Sequence, residues 1–231
     1  MTLTTEFERV ELPLADAFTI SRGTQETAEN VVVRISDEAG MTGVGAAAPS
    51  EHYGETADTV EAVLPDLLDV VEAVDDPHAL DRIERRLRET VERNPAARAA
   101  VSIALHDLAA KRLGVPLYRM WGLDPDQSPK TSFTIGLDTT ERVREKTAEA
   151  VEAGYPILKI KLGTDRDEEL LEAVRDAAPD ATLRVDANEA WTPREAVRKC
   201  ELLVDYDVEF VEQPVPAENP EGLKFVYERS P

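Results

Sequence analysis

From about residue 130 onward the chain alternates short apolar runs with helical stretches. The polar residues that close three of those runs are evenly spaced, 25 residues from Lys161 to Asp186 and 26 from Asp186 to Glu212. A strand-then-helix repeat of this length builds a parallel sheet through right-handed crossovers, because parallel neighbours need a connection of a dozen or more residues. Thr131 to Gly136, Ile157 to Leu162, Leu183 to Ala187 and Glu209 to Glu212 read as strands. Glu141 to Ala153, Asp165 to Ala178, Pro193 to Val204 and Pro220 to Glu228 read as the intervening and following helices. Such a series either closes into a barrel or opens into a doubly wound sheet, and both architectures place their sites at the carboxyl ends of the strands. The first strand is followed by Gly136-Leu137-Asp138, not by a glycine-rich phosphate loop, which favours the barrel. About four βα units are present, where roughly eight close a barrel.

The first half has a different rhythm. Val31 to Ser36 and Met41 to Ala47 flank the turn Asp37-Glu38-Ala39-Gly40 and read as a hairpin. Three helical stretches follow, Glu55 to Ala73, Pro77 to Arg93 and the alanine-rich Pro95 to Leu113, which stops at Gly114 with Pro116 beyond. Strands first and helices after indicate an α+β module over residues 1–125, ahead of the α/β repeat over 126–231. Phe18 to Thr24 and Ser50 to Glu55 are glycine-containing polar stretches and read as loops.

Charge narrows the partners. Lys and Arg total 26 against 47 Asp and Glu, a net charge of -21 spread along the whole chain. This argues against nucleic acid and against an anionic membrane, both of which need a basic surface. Seven of the basic residues are lysines. A diffuse acidic excess with few lysines fits a high-salt cytosol, where screening reduces self-repulsion. The single cysteine, Cys200, excludes an internal disulfide and any multi-thiolate metal site, and reads as a buried helical thiol. Met1 to Leu14 has no apolar stretch of signal-peptide length and no run reaches a membrane span, so a cytoplasmic protein is expected.

Side chains two apart on a strand share a face, which pairs Lys159 with Lys161 and Asp186 with Asn188. Strands of a parallel sheet are usually apolar on both faces, so two lysines on one face need a reason. Solvated lysines on an edge strand are one. A lysine base, its pKa lowered by a like-charged neighbour and by partial desolvation, is the other. Taken singly, Asp186 and Glu212 could be helix caps or loop carboxylates. One strand apart and beside two lysines, they suit a hard divalent cation such as Mg2+. Asn188 would then support the site, and Glu189 would start the next helix, with Trp191-Thr192-Pro193 at its boundary. His52, His78 and His106 lack ligand-like spacing and read as structural or surface residues, with His52 the possible exception. An exposed Arg22 is ordinarily solvated; over a site it could pair with a substrate carboxylate.

Taken in order, these segments resemble the enolase superfamily, in particular its muconate lactonizing subgroup and most closely the dipeptide epimerases. The first half carries the resemblance in Ile20-Ser21-Arg22-Gly23-Thr24, Ala48-Pro49-Ser50, Tyr53-Gly54-Glu55-Thr56 and Ala104 to Lys111. The second half carries it in Thr134-Ile135-Gly136, Lys159 to Gly163, Asp186-Ala187-Asn188 and Glu212-Gln213-Pro214. The resemblance implies an α+β capping domain followed by the N-terminal part of a (β/α)7β modified TIM barrel. It implies Lys161 as the acid/base on one face of the substrate carbon, Lys159 as its electrostatic tuner, and Asp186 and Glu212 as Mg2+ ligands. Arg22, Thr134, Asn188 and Tyr53 would contact substrate.

The implied reaction is epimerisation of a dipeptide, with o-succinylbenzoate synthase and muconate cycloisomerase chemistry as the runner-up. A third metal ligand on a fifth strand and a second lysine on a sixth are also implied, and neither has a counterpart before Pro231. The chain is therefore expected to be an N-terminal portion of the usual sequence. It would work alone, as a homo-oligomer, or only with a complementing half barrel.

Overall fold

A computed structural model describes residues 2–231. The chain divides into two compact units, residues 1–14 with 27–128, and residues 15–26 with 129–231.

Strands β1 (Thr4–Ile20), β2 (Gly23–Ser36) and β3 (Thr42–Ala47) run in the sheet order β1-β2-β3, and the first unit takes β1 as far as Leu14, β2 from Thr27 and all of β3. β2 and β3 pair antiparallel from Val31 opposite Ala47 to Ser36 opposite Thr42, as the 37–40 turn predicts. Asp37 fixes that turn by accepting the backbone N–H groups of Ala39 and Met41. Helices α1 (Ala57–Val74), α2 (Leu80–Thr90), α3 (Pro95–Leu113) and the short α4 (Leu117–Met120) follow. Val31, Val33 and Ile35 alternate into the core against Leu64, Leu67 and Val71 of α1 and Val101, Leu105 and Leu108 of α3. Each such side chain contributes roughly 1.5–3 kcal/mol by leaving water.

The alanines of α3 permit an unusually close approach to β3. A Cβ on Gly43 would stand 2.1 Å from the Ala104 carbonyl oxygen, and one on Gly45 would stand 2.0 Å from that of Ala100. The expected loop at Phe18 to Thr24 is instead the end of β1, a turn at Ser21-Arg22, and the start of β2. Its Phe, Ile and Thr residues favour the pleated backbone, and the hydroxyls of Thr19 and Thr24 pair across it at 2.9 Å.

The second unit holds a parallel sheet of β4 (Phe133–Ile135), β5 (Ile157–Lys161), β6 (Thr182–Asp186) and β7 (Val208–Glu212), ordered β4-β5-β6-β7. Helices α5 (Thr140–Glu152), α6 (Asp167–Ala177), α7 (Pro193–Asp205) and α8 (Pro220–Tyr227) alternate with the strands. Leu158, Ile160 and Leu162 face a core shared with Val143, Leu170, Val174, Ala196 and the buried thiol of Cys200. The opposite face is therefore left to the alternate residues. The start of α7 is fixed by a capping box between Thr192 and Glu195, with Pro193 in the first turn. Glu189 does not begin this helix as expected. It lies in the preceding loop at φ 69°, directly after Asn188 at φ 47°.

Candidate active site at the carboxyl ends of the strands

Strand register assembles the site. Lys161 stands opposite Asp186, and Asp186 opposite Glu212, so three consecutive strands end in one row. Two residues earlier, Thr134 stands opposite Lys159 and Lys159 opposite Arg184. β5 lies between β4 and β6, so the reading of Lys159 and Lys161 as solvated edge-strand lysines does not hold.

The side chains in these rows meet. Lys161 Nζ donates to Asp186 Oδ2 at 2.7 Å, and both residues are buried. Lys159 Nζ bridges the two carboxylates, 3.0 Å from Asp186 Oδ2 and 2.6 Å from Glu212 Oε2. Asp186 Oδ1 accepts the backbone N–H of Asn188 at 2.8 Å. Burial alone would raise the Asp186 carboxyl, but the hydrogen bonds from Lys161, Lys159 and the Asn188 amide outweigh it and hold the group below the usual carboxylate range. Burial likewise pulls the Lys159 ammonium down, and its bonds to Glu212 and Asp186 more than reverse that. Lys159 is held above the ordinary lysine value, because Glu212 and Asp186 both stabilise its charge.

The loop after β6 is tightly held. Glu189 N–H donates to the Gln213 carbonyl at 2.7 Å and Trp191 N–H to that of Pro214 at 3.1 Å. Asn188, Glu189 and Gln213 all have left-handed backbones, a conformation uncommon outside glycine and concentrated at functional sites. Within the same unit, the Asn188 carbonyl accepts from Arg22 Nη1 at 2.9 Å and Ser21 Oγ at 3.3 Å. The Asn188 side-chain oxygen is buried and has no hydrogen-bond partner.

Of the residues expected at the site, Lys159, Lys161, Asp186, Glu212, Asn188, Thr134 and Arg22 all lie in the second unit. Tyr53 lies in the first, in the 3-10 turn Glu51–Tyr53, where its exposed ring packs edge-on against His52. Arg184 is not among the residues the sequence pattern points to. It shares the Lys159 row, donates to Glu209 at 2.6 Å and to Ser132 Oγ at 2.7 Å, and lies over the Phe210 ring. The two-residue alternation back from Asp186 was the signal that could have found it.

The donor set suits a hard cation. The carboxylates of Asp186 and Glu212 converge on the Lys159 ammonium, and an oxygen without a partner belongs to the adjacent loop. Among the described residues, no group of three or more His, Cys, Asp or Glu side chains is placed to hold a metal ion. Two ammoniums and two carboxylates in one hydrogen-bonded row are groups that can balance charge and carry protons.

The model of the mandelate racemase / muconate lactonizing enzyme N-terminal domain matches residues 3–122, and that of the enolase C-terminal domain-like family matches residues 142–231. The L-Ala-D/L-Glu epimerase of Bacteroides thetaiotaomicron is 40% identical over 224 residues, covering 96% of this chain and 57% of that protein. Among solved structures, the substrate-liganded L-Ala-D/L-Glu epimerase of Bacillus subtilis superposes with a TM-score of 0.91 at 31% identity, covering 100% of this chain and 66% of that one. A dipeptide epimerase of Enterococcus faecalis, in complex with Mg and L-Leu-L-Tyr, gives a TM-score of 0.87 at 34% identity over 99% of this chain and 66% of that one. The chain thus spans roughly three fifths to two thirds of the length of these relatives.

Proposed function

This chain belongs to the mandelate racemase / muconate lactonizing enzyme family, and on that premise we propose that it serves the epimerisation of a dipeptide at the carbon beside the terminal carboxylate. The row of Lys161, Asp186 and Glu212 at the ends of three adjacent strands carries the reading. A hydrogen on that carbon is a very weak acid, because its removal places a second negative charge on the carboxylate oxygens. Lys161 exchanges the proton on one face of the carbon, inversion needs reprotonation of the enediolate from the opposite face by a further acid, and the Lys159 ammonium sets the local potential. Asp186 and Glu212 would hold magnesium, with Asn188 supporting them, and Arg22 and Thr134 would contact substrate. When bound, the cation stabilises the added charge on the substrate, an arrangement with lysine that enolase-superfamily sites use.

The relatives' names favour a dipeptide over an o-succinylbenzoate or muconate substrate. The test is a panel of dipeptides and of those two alternative substrates, incubated with the chain and Mg2+ in concentrated KCl and deuterium oxide. Deuterium should enter a dipeptide. Turnover of an alternative substrate with no dipeptide exchange overturns the assignment.

The lysine pairs favour a second reading for the metal. Mg2+ takes six oxygens, which two carboxylates can complete with water and substrate, but Asp186 and Glu212 are both already paired with lysine. Full affinity would then need donors from further chain, whether a complementing half barrel or another copy. Magnesium titration with gel filtration separates the two readings: tight binding by a monomer contradicts the second. The acidic composition supports a high-salt cytoplasmic setting, and among the described residues no helix is long and apolar enough to cross a membrane.

A further inference from the structure

The reaction as proposed leaves one fully buried carboxylate without a role. Asp167, in the first turn of α6, is 0% exposed and has both oxygens occupied. Oδ1 accepts the backbone N–H groups of Gly163 and Thr164 at 2.9 and 2.8 Å and the Thr164 hydroxyl at 3.2 Å. Oδ2 accepts the indole N–H of buried Trp191 at 3.2 Å and pairs with Lys199 Nζ at 3.0 Å. Lys199 comes from α7 and also lies 6.0 Å from the Trp191 ring centre. A buried charge is costly unless paired and hydrogen-bonded, and here it is both, across three segments distant in sequence.

Those segments are the ones that carry the site. Gly163 and Thr164 begin two residues after Lys161, and Trp191 ends the loop that leaves Asp186. The two loops are also in direct contact. A Cβ on Gly163, whose φ is 110°, would stand 2.6 Å from the Ala190 Cβ and 3.1 Å from the Ala187 oxygen. Leu162 N–H continues the pairing to the Asp186 carbonyl at 3.0 Å.

We propose that Asp167 is a positioning residue, whose buried carboxylate, counter-charged by Lys199, clamps the loop after Lys161 to the loop after Asp186 and so fixes where both side chains stand. The clamp follows from the geometry alone; its consequence for proton transfer rests on the function proposed above. A role confined to shaping the turn ahead of α6 would need only the Gly163 and Thr164 amides. It leaves the Trp191 and Lys199 contacts unexplained.

Lys199→Met and Asp167→Asn test this, with Lys199→Arg as the conservative control and an unfolding midpoint confirming that each variant is folded. The first readout is site-resolved amide hydrogen exchange. In Lys199→Met, amides of Gly163 and Thr164 and those of Asn188, Glu189 and Trp191 should exchange at least about tenfold faster, as for local opening of a loop, while Leu158, Ile160, Leu183 and Val185 keep wild-type rates. Lys199→Arg should restore the loop rates. The second readout is α-hydrogen exchange of a dipeptide, where kcat should fall by up to about 100-fold with KM little changed, as small misplacements of reacting groups do. Unchanged loop amides, or strand amides accelerating with the loops, would overturn the clamp. Altered loops with unchanged kcat would overturn its role in positioning. If the wild-type chain neither binds Mg2+ nor exchanges any dipeptide, the proposed function fails, and the amide readout still decides the clamp.

Discussion

Asp186 is where opposite demands meet on one side chain. It is buried, which penalises its charge, and it accepts two ammoniums and one amide, which restore that charge. Asp186→Asn would leave Lys161 buried beside a neutral amide, and destabilisation of roughly 3 kcal/mol is expected in chemical denaturation. This is the low end for breaking a buried pair, because Lys159 keeps Glu212. Asp37 gives a pH prediction of definite sign. The Met41 N–H, then the Ala39 N–H and Arg112, hold its carboxyl below the usual range against the opposing effect of burial. A carboxyl whose pKa is lower folded than unfolded adds stability above its unfolded value, about 4, and loses it as the pH falls through the folded value. Asp37→Asn should therefore unfold at lower denaturant than wild type near neutral pH, and the gap should close in acid.

At the level of elements, the contact of α3 on β3 is the least forgiving. Gly45→Ala would drive a Cβ into a helix carbonyl, and neither backbone can move without disturbing the core. A loss of about 3 kcal/mol or more is expected by denaturant titration, at or above the usual cost of overpacking. A wild-type midpoint would refute that packing. Elements with a buried stripe were legible in the sequence: Val31, Val33 and Ile35 gave β2 its period, and the alternation of polar and apolar residues placed Lys159, Lys161 and Asp186. β1 was not legible. Its residues are mostly exposed on both faces, so Thr4–Ile20 lacks the alternation that burial imposes. The αL turn at Asn188-Glu189 was missed because its cause lies elsewhere in the chain, in carbonyls of the loop after β7. Asp167 was hidden for a similar reason. An acidic residue in the first turn of a helix is ordinary, and only the fold brings Trp191 and Lys199 to it.

On the scale of the whole molecule, the charge of -21 is the dominant long-range term. Raising KCl toward 1 M shortens the screening length from about 10 Å at 0.1 M to about 3 Å. The thermal midpoint should rise over that interval, and a midpoint that falls would argue against adaptation to high salt. The parallel sheet sets the ammoniums of Lys159 and Lys161 among the carboxylates of Asp186 and Glu212 at the strand ends of this acidic chain. The central claim is that Lys161 moves the substrate proton. The measurement that reaches it most directly is entry of deuterium at the carbon beside the dipeptide carboxylate, followed for the wild-type chain and Lys161→Ala with Mg2+ in concentrated KCl. Exchange by the wild type and none by a folded Lys161→Ala is the predicted result; exchange at the wild-type rate by the variant would contradict it.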